Sequence, residues 1–433
     1  MPLAPSFSGT EQNTAHRVAP GVRGDNRSNV LRECRNCGLF QQVPPLAPPA
    51  VARCARCRSL LERARRDPIP RVLALTVAGL LMFAVATRSD FLGLERFGLR
   101  RESLLISGPV QLDDDGMGVL AAVVLGTTMV APLMRLLCLA YVATALHLRR
   151  SWPALRAAFR WNQVLRPWSM VEVFLLGVLV AYTRLVALAN VSIGTGVYAL
   201  GALMLVQIAA DASMDAGAVW REIDALAKRR PSPQPPRGRA IGCGTCGLVS
   251  DAPTQCPRCG AGLFRRKPSS VARTAALLAA AALLYLPANF LPVMNWVTFG
   301  SNTPYTIMTG VIDLVQAGMY PLALLVFFAS ITVPAVKMLG LCYLLIATKR
   351  GSAKGLRGRT QLYRIIEGIG RWSMIDVFML SVLVSLVQLG FVATVRPGLG
   401  AICFAGVVVL TMLAASSFDP RLMWDAAADR PSA

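Results

Sequence analysis

Eight of the eleven cysteines fall into two sets, Cys34-x2-Cys37-x16-Cys54-x2-Cys57 and Cys243-x2-Cys246-x9-Cys256-x2-Cys259. Paired CxxC knuckles bring four thiolates around one tetrahedral ion, and four sulfurs leave no open position for chemistry. Two structural zinc sites, Zn2+ held by four Cys each, are therefore expected. Rubredoxin-like iron is the less favoured occupant, because Cys256-Pro257-Arg258-Cys259-Gly260 also suits an iron knuckle. The other three, Cys138, Cys342 and Cys403, lie in apolar runs and read as packing residues. The only histidines are His16 and His147, and neither a GxSxG elbow nor a GxxxxGK[ST] loop is present. The chain is read as no enzyme.

A second set of reactive groups lies inside apolar runs, where an ionisable side chain is costly and normally faces a bundle interior or a wet cavity. Arg135 and Lys337 each follow a proline, Pro132 and Pro334, so a kink accompanies each cation. Glu172 and Asp376 each lie three residues after a serine, Ser169 and Ser373, which puts hydroxyl and carboxylate on one helical face. Ion pairs Arg135–Glu172 and Lys337–Asp376 are expected. The alternative is that the carboxylates sit at the headgroup boundary and the cations snorkel outward. Arg184 faces no charged counterpart in the second half, where Gln388 stands, and is expected at the outer interface.

These groups must be positioned by membrane helices. The chain has 433 residues, 54% of them hydrophobic and 16% charged, with mean hydropathy +0.51, which excludes a disordered or fibrous protein. Eight apolar runs approach or exceed bilayer length: Val72 to Thr87, Gly118 to His147, Trp168 to Ala189, Gly194 to Ala210, Thr274 to Pro292, Met319 to Ala347, Trp372 to Val395 and Gly398 to Ser416. Of the 45 Lys and Arg residues, 37 fall in segments on one side of these runs and 5 on the other. The positive-inside rule then puts both termini and the central linker in the cytoplasm, and the net charge of +22 becomes a topology signal, with no nucleic-acid partner expected.

The two halves repeat. At an offset of 202, Pro132 matches Pro334, Arg135 matches Lys337 and Tyr141 matches Tyr343; at 204, Trp168-Ser169-Met170 matches Trp372-Ser373-Met374 and the triplet Ser213, Asp215, Trp220 matches Ser417, Asp419, Trp424. The fold expected is an all-α polytopic membrane protein, two parallel four-helix repeats with two small cytoplasmic zinc-ribbon domains. Its parts are a disordered tail at 1–30, ribbon 1 at 31–66, module 1 at 70–215, a linker at 216–240, ribbon 2 at 241–266, module 2 at 272–420 and a cytoplasmic tail at 421–433. The halves differ at the first span of module 2, where Pro287, Asn289 and Asn295 interrupt the run Leu286 to Asn295. Such a break frees backbone carbonyls at membrane depth, unless it is simply a helix end at the outer interface. Ser417 and Asp419 read as a cap or tie at the end of the last span. The basic, partly apolar segments Trp152 to Val164 and Leu356 to Ile369 suit a membrane surface or plain connecting helices.

The CxxCGL…CPRCG ribbon at Cys243 to Gly260, Leu-Pro-x-Asn at Leu286 to Asn289, Trp-Ser-Met-x-[Asp/Glu]-Val-Phe in both halves, and Ser417-x-Asp419-Pro420-Arg421…Trp424 together resemble the paraquat-inducible protein A family. The resemblance runs from about Cys34 to Asp425 and is more specific in the second half, since the first lacks Leu-Pro-x-Asn and has a wide ribbon. It implies a multi-pass protein of the bacterial inner membrane that partners a periplasmic MCE-domain protein, a tunnel for lipid traffic between two membranes. On that reading the polar groups around Lys337, Asp376 and Ser373 line a cavity for a lipid headgroup. The competing reading is a membrane-bound zinc or redox sensor, or an envelope-stress signalling protein, in which the ribbons signal to partners.

Overall fold

Backbone amides within an apolar run have no water to bond, so these runs close their hydrogen bonds internally as helices. The computed structural model describes residues 30–65, 68–96, 99–186, 190–228, 240–251, 254–298, 301–388 and 394–428. The tail at 1–29, His16 within it, the linker stretch 229–239 and the last residues 429–433 lie outside the described residues.

Among the described residues, seven helices are long and apolar enough to cross a membrane: Ile69–Arg88, Gly118–His147, Thr195–Ser213, Ser270–Phe290, Tyr320–Lys349, Leu356–Leu386 and Leu399–Ser417. The remaining run, Trp168 to Ala189, forms a helix of 16 residues, Val171–Val186. Pro167 accounts for the shortening at its start. The matching position in module 2 is Arg371, which lets a basic helix pass through a 3-10 turn into the next span without interruption.

Ribbon 1 consists of two hairpins, β1 (Val30–Glu33) with β2 (Phe40–Val43) and β3 (Val51–Arg53) with β4 (Leu60–Arg63). Module 1 follows as α1 (Pro68–Arg88), β5 (Leu92–Arg96), β6 (Leu99–Ser103), α2 (Ser107–Asp114), α3 (Gly118–Leu125), α4 (Ala131–His147), α5 (Leu155–Leu165), α6 (Val171–Val186), β7 (Asn190–Ile193), α7 (Thr195–Ser213) and α8 (Ala216–Leu226). Ribbon 2 has the short hairpin β8 (Ile241–Gly242) and β9 (Val249–Ser250). Module 2 repeats the series as α9 (Ser270–Phe290), β10 (Met294–Thr298), β11 (Ser301–Tyr305), α10 (Ile307–Gln316), α11 (Tyr320–Phe327), α12 (Val333–Lys349), α13 (Leu356–Ile369), α14 (Ile375–Leu386), β12 (Thr394–Pro397), α15 (Leu399–Ser417) and α16 (Arg421–Ala428).

Two features depart from an all-helical expectation. In each module the segments between spans pair into a three-stranded antiparallel sheet, ordered β6-β5-β7 and β11-β10-β12. Leu92 faces both Ser103 and Ile193, and Met294 faces both Tyr305 and Pro397. The second helix of each module also carries a π turn, Gly126–Val130 between α3 and α4 and Phe328–Thr332 between α11 and α12. Pro132 and Pro334 follow these turns and offer no N–H to the carbonyl four residues back, so the ladder widens there. One carbonyl in the second turn is satisfied from outside, since the Tyr285 hydroxyl donates to Ile331 O at 3.2 Å.

The modules meet along α6 and α14. Every residue of α14 is buried, Asp376, Ser381 and Ser385 among otherwise apolar side chains. Gly177 on α6 admits it closely, because a Cβ there would lie 2.9 Å from Phe378 Cβ. Phe174 and Phe378 stack edge to face at 5.5 Å.

The ribbons dock in a closed circuit. Ribbon 2 packs on module 1, which precedes it, with its cysteines buried beside Phe159, Trp220 and Ile223. Ribbon 1 packs on module 2, with its cysteines beside Leu341, Tyr363, Phe418 and Trp424. The Arg56 guanidinium lies 4.3 Å from the Trp424 ring centre. Between the ribbons, Glu33 accepts from Gly242 N at 2.7 Å and Arg35 donates to Thr245 O at 2.8 Å.

Candidate metal centres and polar core

Each cysteine set closes on one point. Sγ–Sγ separations are 3.5 Å for Cys34–Cys57 and Cys37–Cys54, and 3.6 and 3.5 Å for Cys243–Cys259 and Cys246–Cys256. Disulfide sulfurs sit about 2.05 Å apart, whereas a zinc tetrahedron with bonds of about 2.3 Å has edges of about 3.8 Å. Four buried sulfurs at that spacing fit a metal ion in both clusters. The residue after each second cysteine has a positive φ: Gly38 at 71°, Gly247 at 71°, Gly260 at 68° and Arg58 at 59°. This bend returns the N–H of Gly38, Arg58, Gly247 and Gly260 to the carbonyl of the first cysteine at 2.9 to 3.0 Å. Glycine takes it freely, and Arg58 takes it at a cost.

A charged hub joins the ribbons to the end of module 2. Arg421 bonds Glu33 at 2.9 Å and Asp419 at 3.0 Å, and Arg266 reaches Asp425 at 2.5 Å. Asp419 also accepts from Lys267 N at 3.0 Å, and its own N–H bonds Ser270 Oγ at 2.8 Å. Burial alone would raise the Asp419 pKa, but the hydrogen bonds and charge of Arg421 outweigh it and hold the carboxyl below the ordinary carboxylate value. Ser417 takes part through its carbonyl, which accepts from Ser270 Oγ at 2.9 Å. Asp419 thus ties the chain entering module 2 to the chain leaving it.

The expected ion pairs inside the modules do not form as read. Arg135 pairs with Asp211 on α7, and Arg166 joins the same carboxylate at 3.4 Å. Glu172 reaches across the module boundary to Arg371 at 3.2 Å. The reason lies in packing: α7 brings Asp211 to the cation, a juxtaposition that spacing along one helix does not encode. Ser169 lies 3.5 Å from Gln207, also on α7.

Module 2 has no such compensation. Lys337 is 1% exposed and donates to Thr411 Oγ1 at 2.9 Å and Gly370 O at 3.5 Å. Asp376 is 5% exposed, and neither of its oxygens has a hydrogen-bond partner. Ser373 Oγ is buried and equally unpartnered. Ser330 faces Asp376 but spends its proton on Val326 O at 2.6 Å. Unsatisfied buried carboxylate oxygens cost free energy in an apolar core, so their retention points to a use.

The Leu-Pro-x-Asn segment closes α9. Pro287 sits inside the helix and Asn289 donates back to Tyr285 O at 2.8 Å, while Asn295 lies in β10 opposite Pro304 and Arg396. These residues end a helix and start a sheet, and their link to the core is Tyr285 of α9, whose hydroxyl reaches the π turn. Sequence reasoning missed Asp211, Arg371 and Thr411 as partners. The guanidinium of Arg184, the residue expected at the outer interface, crosses to module 2 and donates to Gly310 O at 3.3 Å, a bond the sequence did not show. The one available signal was the lack of a charge at Gln388.

Two repeated sets of apolar helices around buried charges, each coupled to a four-cysteine cluster that could hold a metal ion, define a duplicated multi-pass membrane protein. The chain belongs to the paraquat-inducible protein A family, whose profile matches residues 69–224 and 271–428, the two modules without their ribbons. It is 33% identical over 400 residues to the intermembrane transport protein PqiA of Escherichia coli, covering 90% of this chain and 95% of that one. It is 28% identical to lipophilic envelope-spanning tunnel protein A of the same species, over 98% and 96%. A probable intermembrane transport protein of Haemophilus influenzae is 26% identical over 91% and 95%. No solved structure matches significantly.

Proposed function

We propose that this protein is the inner-membrane subunit of an intermembrane lipid transport system, taking lipid from the bilayer and passing it to or from a periplasmic MCE-domain tunnel without catalysis of its own. The observation that carries the reading is the pair of buried charged groups in module 2, Lys337 and Asp376, neither of which has an ion-pair partner among the described residues of a largely apolar helix bundle. A lipid headgroup supplies phosphate for a cation and donors for a carboxylate, and a polar group at membrane depth serves a transported headgroup. The names of the relatives support intermembrane transport.

The same reading sets eight spans across the membrane, counting α6, in two parallel quartets, with both termini and both ribbons on the basic, cytoplasmic side. The ribbons hold Zn2+ through four thiolates each and act as clamps. Their docking on helix ends of both modules favours that role over a free sensor. Lipid transfer to a periplasmic acceptor in reconstituted vesicles tests the reading. Lys337→Ala and Asp376→Ala should each abolish transfer while zinc content stays at wild-type level. Transfer that is unchanged in both variants would overturn it.

A further inference from the structure

Arg184 is carried by α6 of module 1 but serves the neighbourhood of module 2. Its one hydrogen bond among the described residues goes to Gly310 O, and its Nε is buried without a partner. A guanidinium has five N–H donors, so most of its capacity is unspent. Asp376, Asp313 and Tyr305 are the titratable groups close enough to act on it electrostatically. Asp313 is exposed, whereas Asp376 is buried and has no donor on either oxygen.

The site is built for this arrangement. Gly310 on α10 leaves room for the guanidinium, since a Cβ there would lie 3.1 Å from Arg184 Nη2 and 3.3 Å from Nη1. At the matching place in module 1, Gly108 is closed by Ser381 instead, so a short hydroxyl stands where module 2 has a long cation. Among the described residues, the module 2 side therefore combines an under-used cation with a carboxylate that has no hydrogen-bond partner.

Opposite charges left apart in this way suit a ligand that carries both. We propose that Arg184 and Asp376 together read a zwitterionic aminophospholipid headgroup, Arg184 taking the phosphate and Asp376 the primary ammonium. The inference rests on the lipid-transport reading and narrows its substrate class. A phosphate matches the planar fork of arginine. A primary ammonium brings three donors to a carboxylate that has none, whereas a trimethylated ammonium brings charge without donors and a glycerol headgroup brings hydroxyls without charge. Lys337, committed to Thr411 and Gly370, is left to the path beyond.

The test uses the full chain incubated with vesicles of equal parts phosphatidylethanolamine, phosphatidylcholine and phosphatidylglycerol, with bound lipid identified by native mass spectrometry. Wild type should retain the ethanolamine lipid over each of the others by about tenfold, the worth of one charge-assisted hydrogen bond. Asp376→Asn should erase that preference while still binding lipid. Arg184→Gln, and Gly310→Val which crowds the guanidinium, should lower the load of all three lipids, with Arg184→Lys recovering part of it. Lipid bound without headgroup preference in wild type, a preference that survives Asp376→Asn, or full loading of Arg184→Gln would overturn this inference and leave lipid transport standing. No lipid bound to wild type at all would bring down both.

Discussion

The two modules were built from one pattern and have settled their charges differently. In module 1 the buried cation Arg135 has a carboxylate, Asp211, and the remaining acid, Glu172, sits half-buried against Arg371. In module 2 the matching Lys337 faces a hydroxyl and a carbonyl, and neither oxygen of Asp376 has a hydrogen-bond partner. Module 1 has spent its charges on holding together, and on the function proposed above module 2 keeps its charges for a ligand. The position of α14 agrees, since module 2 contributes the helix buried on every side.

The largest effect should come from breaking the satisfied side. Asp211→Ala leaves Arg135 with no carboxylate in an apolar core and should cost about 3 kcal/mol of stability, most of it recovered in Arg135→Met with Asp211→Leu. Thermal unfolding in detergent checks this, and a double variant no better than the single one would erase the contrast. The converse holds in module 2, where Lys337→Met and Asp376→Leu should leave the unfolding temperature unchanged or raised while lipid transfer falls by about tenfold or more. Loss of both stability and transfer would make module 2 a structural pair like its neighbour.

The ribbons sharpen the comparison further. Metal loss in ribbon 1, by Cys37→Ser, should raise amide exchange in α16 of module 2, and Cys246→Ser should do so in α8 of module 1, each by about tenfold at the docked helix. The reverse pattern would contradict the docking. A smaller difference lies at the caps. Asp215 accepts from Ala218 N at 2.9 Å, while Asp419 is additionally gripped by Arg421 and held below its ordinary pKa. A depressed carboxyl contributes stability above the unfolded value near 3.9 and loses it as pH falls through the folded one. Acid below about pH 4 should therefore loosen α16 before α8, and Asp419→Asn should remove the difference in a pH series of hydrogen exchange. Smallest of all, Arg58→Gly should relieve the left-handed strain in ribbon 1 and stabilise it by about 0.5 kcal/mol, read as resistance to chelator, after the flexibility gained by the unfolded chain is subtracted.

Legibility in the sequence followed the range of the interaction. The cysteine sets were readable because knuckle geometry is local, and the buried cations and carboxylates because charge in an apolar run stands out. The repeat located Lys337 from Arg135 and Asp376 from Glu172. Their partners were not readable. Asp211 lies 76 residues from Arg135, and Arg371 lies 199 residues from Glu172, so only helix packing joins them. The sheets escaped notice because strands of four or five polar residues such as Ser301–Tyr305 carry no apolar alternation. The cross-module bond of Arg184 was equally hidden, because its target, Gly310 O, is a backbone atom on another module.

Ribbon 1 is the first part of the described chain to leave the ribosome, and the final part of its seat, α16, is the last. Glu33 meets Arg421 across 388 residues, and Trp424 receives Arg56. An ion bound by ribbon 1 during synthesis would therefore sit in a knob whose seat is completed only when α16 emerges. A product cut short before Arg421 keeps both cysteine sets yet exposes the apolar back of the first, which makes completion of the chain a condition that quality control can sense.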